Sequence, residues 1–245
     1  MTTDPRDLSG RTALVTGATS GIGRAVAKAL ALDGAEVWVH GRDAERGART
    51  VAEIEADGGQ ARSISADINE PVDLRRLADE TGDVDVLINN AGMAWFGPTT
   101  ELDLDTFDQL FAANVRAPYF LVAAIAPKMA ARGAGSIVNV GSMAGEVGMV
   151  GGAAYGATKA SLDAMTRSWA AEFSPSGVRI NTVASGPVYT PIQSRETTDA
   201  VGATTLLDRA AEPEEIALLI AFLASPRASY ITGATIAADG GRTAV

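Results

Sequence analysis

Thr12-Ala13-Leu14-Val15-Thr16-Gly17-Ala18-Thr19-Ser20-Gly21-Ile22-Gly23 is the stretch on which the reading of the chain turns. Residues 12–16 form a short apolar run of the kind that makes a buried strand. Residues 17–23 are a glycine-rich turn. Ile22 to Asp33 then reads as a helix, with Gly34 ending it. Glycines let a backbone turn sharply and let a phosphate come close. A helix N-terminus offers free N–H groups and a favourable dipole to an anion. Three residues separate Gly17 from Gly21, so the spacing is not the usual G-x-G-x-x-G. The turn alone leaves two readings, a phosphate cradle and a glycine-rich connection without a ligand.

Outward from this unit the pattern repeats. Glu36 to Val39 is the next strand, and Asp43 starts a helix that runs to about Asp57 before Gly58-Gly59. Further strand-like runs are Arg62 to Ser65, Val84 to Ile88, Ser136 to Val140, Val178 to Val183 and Thr235 to Ala237. Long helical stretches cover Leu104 to Arg132 and Gly152 to Phe173. Strands alternating with helices predict an α/β protein whose parallel sheet is covered on both faces. Neither an internal repeat nor a linker is visible, so residues 1–245 are expected to form a single domain.

Composition removes whole classes of chemistry. There is no cysteine, which excludes disulfides, thiolate nucleophiles and cysteine-ligated metals. His40 is the one histidine, so neither a histidine metal site nor a Ser-His-Asp triad is expected. The formal net charge of -10 argues against nucleic acid and anionic membranes as partners. Met1 to Gly10 is polar and lacks the apolar core of a signal peptide. The apolar runs Tyr119 to Pro127 and Ile216 to Ala224 are too short to span a bilayer. A cytoplasmic location is the expectation.

Tyr155 and Lys159 lie four positions apart in a helical stretch, which places them on one face, a turn apart. A phenol is a poor acid at neutral pH, and a neighbouring ammonium favours its phenolate form. Such a pair can pass a proton to or from an oxygen. The same spacing also occurs on ordinary surface helices.

Taken together, these motifs resemble the short-chain dehydrogenase/reductase family over nearly the whole chain. Thr16 to Gly23 is similar to the family's TGxxxGIG turn, and Asn89-Asn90-Ala91-Gly92 to its NNAG motif. Asn114 falls where the family has a helix asparagine. Ser142 stands thirteen positions before Tyr155, the family's usual separation, and Tyr155-x-x-x-Lys159 completes the set. The pattern is nearest to 3-oxoacyl-carrier-protein reductases. The resemblance implies a Rossmann-like, doubly wound parallel sheet of about seven strands. It also implies a catalytic group of Asn114, Ser142, Tyr155 and Lys159. Tyr155 would be the general acid in ketone reduction, Ser142 would hydrogen-bond the substrate oxygen, Lys159 would support the phenolate and hold the nicotinamide ribose, and Asn114 would hold a water leading from Lys159 to solvent.

The cofactor site implied by the same resemblance comprises Gly17, Thr19, Ser20, Gly21, Ile22 and Gly23 in the first turn. It continues with Arg42, with the pair Asp67 and Ile68 at the adenine, and with Asn90, Ala91 and Gly92. Gly186, Val188 and Thr190, together with Tyr155 and Lys159, complete it. NAD-binding relatives carry an acidic residue at the end of the second strand, and here that position is Gly41. Arg42 follows and is suited to a 2′-phosphate, so NADP(H) is expected over NAD(H). Asp43 reads as a helix cap, although a one-position shift would bring it towards the ribose.

The substrate pocket implied by resemblance draws on Met93, Trp95, Met149 and Tyr189 beside Ser142 and Tyr155, with Phe96, Met143, Val147, Val150 and Ile192 around them. That lining is mostly apolar and suggests a ketone or secondary alcohol with a hydrophobic flank. The segment at about 188–212 is expected to close over the ligands. Two departures stand out. Ser185-Gly186-Pro187 replaces the family's Pro-Gly, which is expected to loosen that turn. Ser176 stands where carrier-protein reductases commonly have a basic residue, although Lys128 and Arg132 are present. A reductase of free carbonyl compounds is therefore favoured, with a carrier-protein reductase and a non-catalytic dinucleotide sensor as alternatives. Relatives of this kind are usually tetramers packed on the two long helices, so the resemblance implies a homotetramer.

Overall fold

The computed structural model describes residues 7–245, and residues 1–6 of the polar start lie outside the described residues. The chain alternates β1 (Thr12–Val15), α1 (Gly21–Leu32), β2 (Glu36–Gly41), α2 (Ala44–Ala56), β3 (Gln60–Ser65), α3 (Pro71–Glu80) and β4 (Val86–Asn89). It continues through α4 (Leu104–Phe111), α5 (Ala117–Ala131), β5 (Gly135–Ser142), α6 (Ala153–Phe173) and β6 (Val178–Ser185). The last elements are α7 (Arg195–Gly202), α8 (Pro213–Ala224) and β7 (Thr235–Ala238). All strand pairs are parallel, and the seven strands lie in the order β3-β2-β1-β4-β5-β6-β7.

The strands are apolar on both faces because helices cover both faces. Ala13 and Val15 join α1 and α8 in one core, while Leu14, between them, joins α3 and α5 in the other. Val86 and Ile88 against Leu87 repeat that alternation in β4. Each fully buried leucine, isoleucine or valine contributes roughly 1.5–3 kcal/mol. Strand order reverses between β1 and β4, and in such sheets the ligand crevice opens at the carboxyl ends of the two strands that flank this point.

Three details differ from the sequence reading. The helix expected over Leu104 to Arg132 contains a π-helical turn, Ala112–Arg116, between α4 and α5. Together these segments form a helical run of 28 residues that is long and apolar enough to cross a membrane by composition. More than half of that window is buried, and α5 packs on α3, α6 and the sheet as a core helix does. The short apolar run read from sequence ignored the extension through α4. The segment expected as a loop contains α7, whose cap is Ser194, with its Oγ accepting from Thr197 N–H. The turn after β6 is also firmly held. Gly186 N–H donates to Ala238 C=O at 3.0 Å, Ala211 N–H donates to Pro187 C=O at 2.9 Å, and Val188 bridges to Ala211. Backbone pairing thus replaces whatever stiffness the missing proline would supply.

Candidate active site

The glycine-rich turn is tied to its surroundings on every side. Gly17 has φ +65°, and a Cβ on Gly23 would lie 2.3 Å from Gly17 O, so neither position accepts a side chain. Asn90 Nδ2 donates to Thr16 C=O at 2.9 Å and to Gly17 C=O at 3.1 Å. Thr16 Oγ1 in turn accepts from the N–H groups of Asn90 and Ala91, each at 3.0 Å. His40 is buried at the end of β2. Its Nδ1 accepts from Gly17 N–H at 3.2 Å, and its Nε2 faces Ala66 C=O at 3.1 Å. Ser20 holds the N-cap position of α1, yet its side chain makes no capping bond. Asp43, Asp103 and Ser194 do cap their helices. The leading N–H groups of α1 therefore lack a side-chain partner and face the crevice.

Ser142, Tyr155 and Lys159 line one cleft with Asn90, Gly92 and Gly186. Ser142 ends β5, and its Oγ accepts from Ala144 N–H at 3.2 Å. That contact uses one lone pair and leaves the hydroxyl proton to donate elsewhere. Lys159 is buried, donates to Val140 C=O at 2.8 Å, and lies 5.6 Å from the centroid of the Tyr155 ring. The Tyr155 hydroxyl makes no hydrogen bond with any described residue. Gly156 makes this assembly possible: a Cβ there would meet Ala144 O at 2.5 Å, so only glycine lets α6 approach the turn that follows Ser142.

Asn114 sits in the π-helical turn, almost fully buried. Its Oδ1 accepts from Met93 N–H at 2.9 Å, and its Nδ2 donates to Met93 C=O at 2.9 Å and Thr158 Oγ1 at 3.0 Å. Thr158 Oγ1 donates onward to Tyr155 C=O at 2.7 Å. Both amide protons are committed, and the side chain braces Met93 and the start of α6.

The substrate side of the cleft is formed by Met93, Phe96, Met143, Met149, Ile192 and Val201. Four residues expected in the pocket lie outside this lining. Trp95 does not line this cleft; its neighbour Phe96 does, with ring centroids 5.2 Å from Tyr155. Tyr189 instead lines the neighbouring groove with Thr190 and Arg195, donating from its hydroxyl to Asp199 Oδ1 at 2.5 Å with Arg195 4.4 Å from its ring centroid. Val147 and Val150 are also outside the lining, and Val150 is fully exposed. Val201 escaped sequence reading because α7 carries it in, and that helix was read as loop.

At the other end of the crevice, Asp43 is settled as a cap: its Oδ1 accepts from Arg46 N–H at 3.0 Å, and that bond holds its carboxyl below the usual range. Arg42 is exposed and lines neither cavity. Thr19, Ser20 and Gly21 line a separate open groove with Arg24, Arg46 and Arg49. Asp67 Oδ1 accepts from Asn69 N–H, and the Ile68 side chain is buried in the core with α3 rather than open to a ligand. Gly23 and Ala91 line neither cavity. Ile22, Val188 and Thr190 line the cleft beside Tyr155.

Comparison with known proteins accords with this arrangement. The family model described as Enoyl-(Acyl carrier protein) reductase matches residues 17–243. The 3-oxoacyl-(acyl-carrier-protein) reductase FabG of Vibrio cholerae is 36% identical, with 96% of this chain and 98% of that protein covered. A solved short chain dehydrogenase/reductase family protein is 49% identical with a TM-score of 0.91, covering 98% of this chain and 100% of the other. A blue fluorescent protein from a metagenomic library, solved in complex with NADPH, is 37% identical with a TM-score of 0.91, covering 96% and 99%. The chain belongs to the short-chain dehydrogenase/reductase family. It is an oxidoreductase that acts between CH–OH and C=O with NAD(P).

Proposed function

We propose that the chain is an NADP(H)-dependent ketoreductase that interconverts a free hydrophobic ketone and its secondary alcohol. The observation that carries this reading is the cleft beside Tyr155. Met93, Phe96, Met143, Met149 and Ile192 make its substrate side apolar, and among the described residues Lys159 is the only charged side chain in its lining. Such a wall favours a neutral, apolar flank on the substrate, and the flexible thioethers adapt to its shape. Preference for NADP(H) is supported by the absence of an acidic side chain at Gly41, by the commitment of Asp43 to its helix, and by the arginines nearby.

The residues present fit a dinucleotide, since the glycine cradle and the uncapped start of α1 offer space and N–H donors for a pyrophosphate. The bound dinucleotide supplies or accepts the hydride. Ser142 donates its free hydroxyl proton to the carbonyl oxygen and steadies the charge that develops there. Tyr155 Oη gives a proton to that oxygen in reduction and takes it back in oxidation. The Lys159 ammonium, fixed by Val140 C=O, offers positive charge beside the phenolate. Asn114 and Thr158 hold α6 so that Tyr155 keeps its place.

A carrier-protein reductase is the second reading, favoured by the likeness to the Vibrio cholerae protein. Against it, the Arg132 side chain is occupied by Asp83 at 2.9 Å and by Val84 C=O, so of the two basic residues read on this helix only Lys128 has no such partner among the described residues. Initial rates with an acetoacetyl thioester and a hydrophobic aryl ketone, each with NADPH and NADH, separate the readings. The expected result is turnover of the aryl ketone, faster with NADPH. Turnover of the thioester alone restores the carrier-protein reading. Tight NADPH binding with neither substrate consumed points to a dinucleotide sensor.

A further inference from the structure

We propose that Thr166 is a positioning residue for the reaction: it keys α6, the helix that carries Tyr155 and Lys159, to a row of polar side chains that crosses the sheet under that helix. The inference rests on the catalytic roles given above to Tyr155 and Lys159. The sheet face under α6 changes character in a single step. Leu87, Ile137 and Ile180 are in register across β4, β5 and β6, and all three are buried in one core. Two residues further along each strand the same face carries Asn89, Asn139 and Thr182, and the row continues onto β7 with Thr235. Asn89, Asn139 and Thr182 are buried. An apolar helix face would leave their amides and hydroxyl short of partners, which is costly away from water.

Instead, α6 meets the row from two positions nearly one turn apart. Asn89 Nδ2 donates to Asn139 Oδ1 at 2.8 Å, and Asn139 Nδ2 donates to Thr166 Oγ1 at 2.7 Å. Thr166 Oγ1 also shares a hydrogen bond with Thr182 Oγ1 at 2.8 Å, so one hydroxyl joins two strands to the helix. Thr235 Oγ1 donates to Asp163 Oδ1 at 3.2 Å. Apolar contact has no direction and tolerates small slides and rolls of a helix. A buried chain of hydrogen bonds is directional and fixes one arrangement. The strands joined in this way are those that feed the site. Asn89 precedes Asn90, which holds the glycine turn, and Asn139 precedes Val140, whose C=O holds Lys159. Ser142 ends the same strand. Thr166 lies two turns of helix beyond Lys159, about 10 Å along the axis. It lines neither the cleft nor the neighbouring groove, so its hydroxyl acts through the helix.

The test compares kcat, KM and NADPH affinity of wild type, Thr166→Val and Thr166→Ser, using whichever of the aryl ketone and the acetoacetyl thioester wild type reduces. Rates are taken at a temperature where thermal scans show each variant folded. Valine keeps the shape of the side chain and loses the hydroxyl, whereas serine keeps the hydroxyl and loses a methyl group from a fully buried site. Thr166→Val is expected to lower kcat by about tenfold, within what a misplacement of about 1 Å costs, with KM and NADPH affinity within about twofold of wild type. Thr166→Ser is expected to keep kcat within about twofold of wild type even where the missing methyl lowers its melting temperature. A rate that follows the hydroxyl and not the stability marks a positioning role. Wild-type kcat in Thr166→Val, an equal loss of kcat in both variants, or a parallel loss of NADPH affinity overturns the inference. If Thr166→Val does not fold, Thr182→Val, which removes one neighbour of the same hydroxyl, takes its place. A several-fold loss of kcat at unchanged NADPH affinity then supports the inference, and an unchanged kcat overturns it. Silence of wild type with both substrates overturns the reading of the function and this inference with it, whereas an active wild type matched by Thr166→Val overturns this inference alone.

Discussion

Tyr155→Phe lowers kcat by about 10²–10⁴-fold, the usual worth of a positioned proton donor. The substitution removes one oxygen and nothing else. Because the Tyr155 hydroxyl has no hydrogen-bond partner among the described residues, its loss leaves no orphaned group in the fold. Thermal stability is therefore expected to change by no more than about 0.5 kcal/mol. The ring keeps its contact with Phe96 at 5.2 Å and its place beside Lys159, so the cleft keeps its shape. NADPH affinity, followed by tryptophan fluorescence, stays close to that of wild type. The combination to look for is a collapsed kcat with cofactor binding and folding preserved. A variant that retains full ketone reduction removes Tyr155 from the chemistry.

The second large effect concerns pH and stability, and it comes from His40. Burial pushes its imidazolium down to about pKa 4 from 6.5, opposed only partly by the bond to Ala66 C=O. Geometry gives the same direction. Nδ1 must be unprotonated to accept Gly17 N–H, and Nε2 then carries the hydrogen that faces Ala66 C=O. In the unfolded chain the ring takes up a proton near pH 6.5, while the folded chain resists it until about pH 4. Folding stability from this group is thus complete above about pH 6.5 and declines as pH falls towards 4, by about 3 kcal/mol in all. Asp33 and Asp163, whose carboxyls burial pushes up, act in the opposite sense. The measurement is accordingly a difference. Urea unfolding of wild type and His40→Gln, at pH 4.5 to 7.5 in ~0.5-unit steps, isolates the histidine. Wild type is expected to lose stability more steeply than the variant over that range. Parallel curves contradict the account. Since His40 is the chain's one histidine, no other imidazole can produce the signal.

The parts of this molecule that were legible from sequence share a physical cause. β1, the glycine turn and α1 announce themselves because a buried strand, a turn whose glycines tolerate no Cβ and an amphipathic helix each restrict residue types strongly. Tyr155 and Lys159 share a face by helical spacing alone. Their meeting with Ser142 in one cleft needed the family resemblance, because it depends on how closely α6 packs against the turn after β5, through the missing side chain of Gly156.

What was not legible depends on direction rather than on type. Trp95 and Phe96 are adjacent and both aromatic, and only the backbone path between Met93 and Gly97 decides which one faces Tyr155. Tyr189 is captured by Asp199 and Arg195 from α7, a helix whose polar sequence gave no apolar period to recognise. The π-helical turn at Asn114 follows no residue pattern that separates it from ordinary helix.

A single-turnover experiment with NADPH carrying deuterium at the transferable position tests the central claim most directly. Enzyme in excess is mixed with the labelled cofactor and a hydrophobic aryl ketone, and the alcohol is examined by mass spectrometry. The expected product is one secondary alcohol with deuterium on the carbinol carbon, formed in step with cofactor oxidation and in trace amounts only with Tyr155→Phe. Cofactor that stays reduced in the presence of the ketone, or label transfer that is equally fast without the Tyr155 hydroxyl, would contradict it.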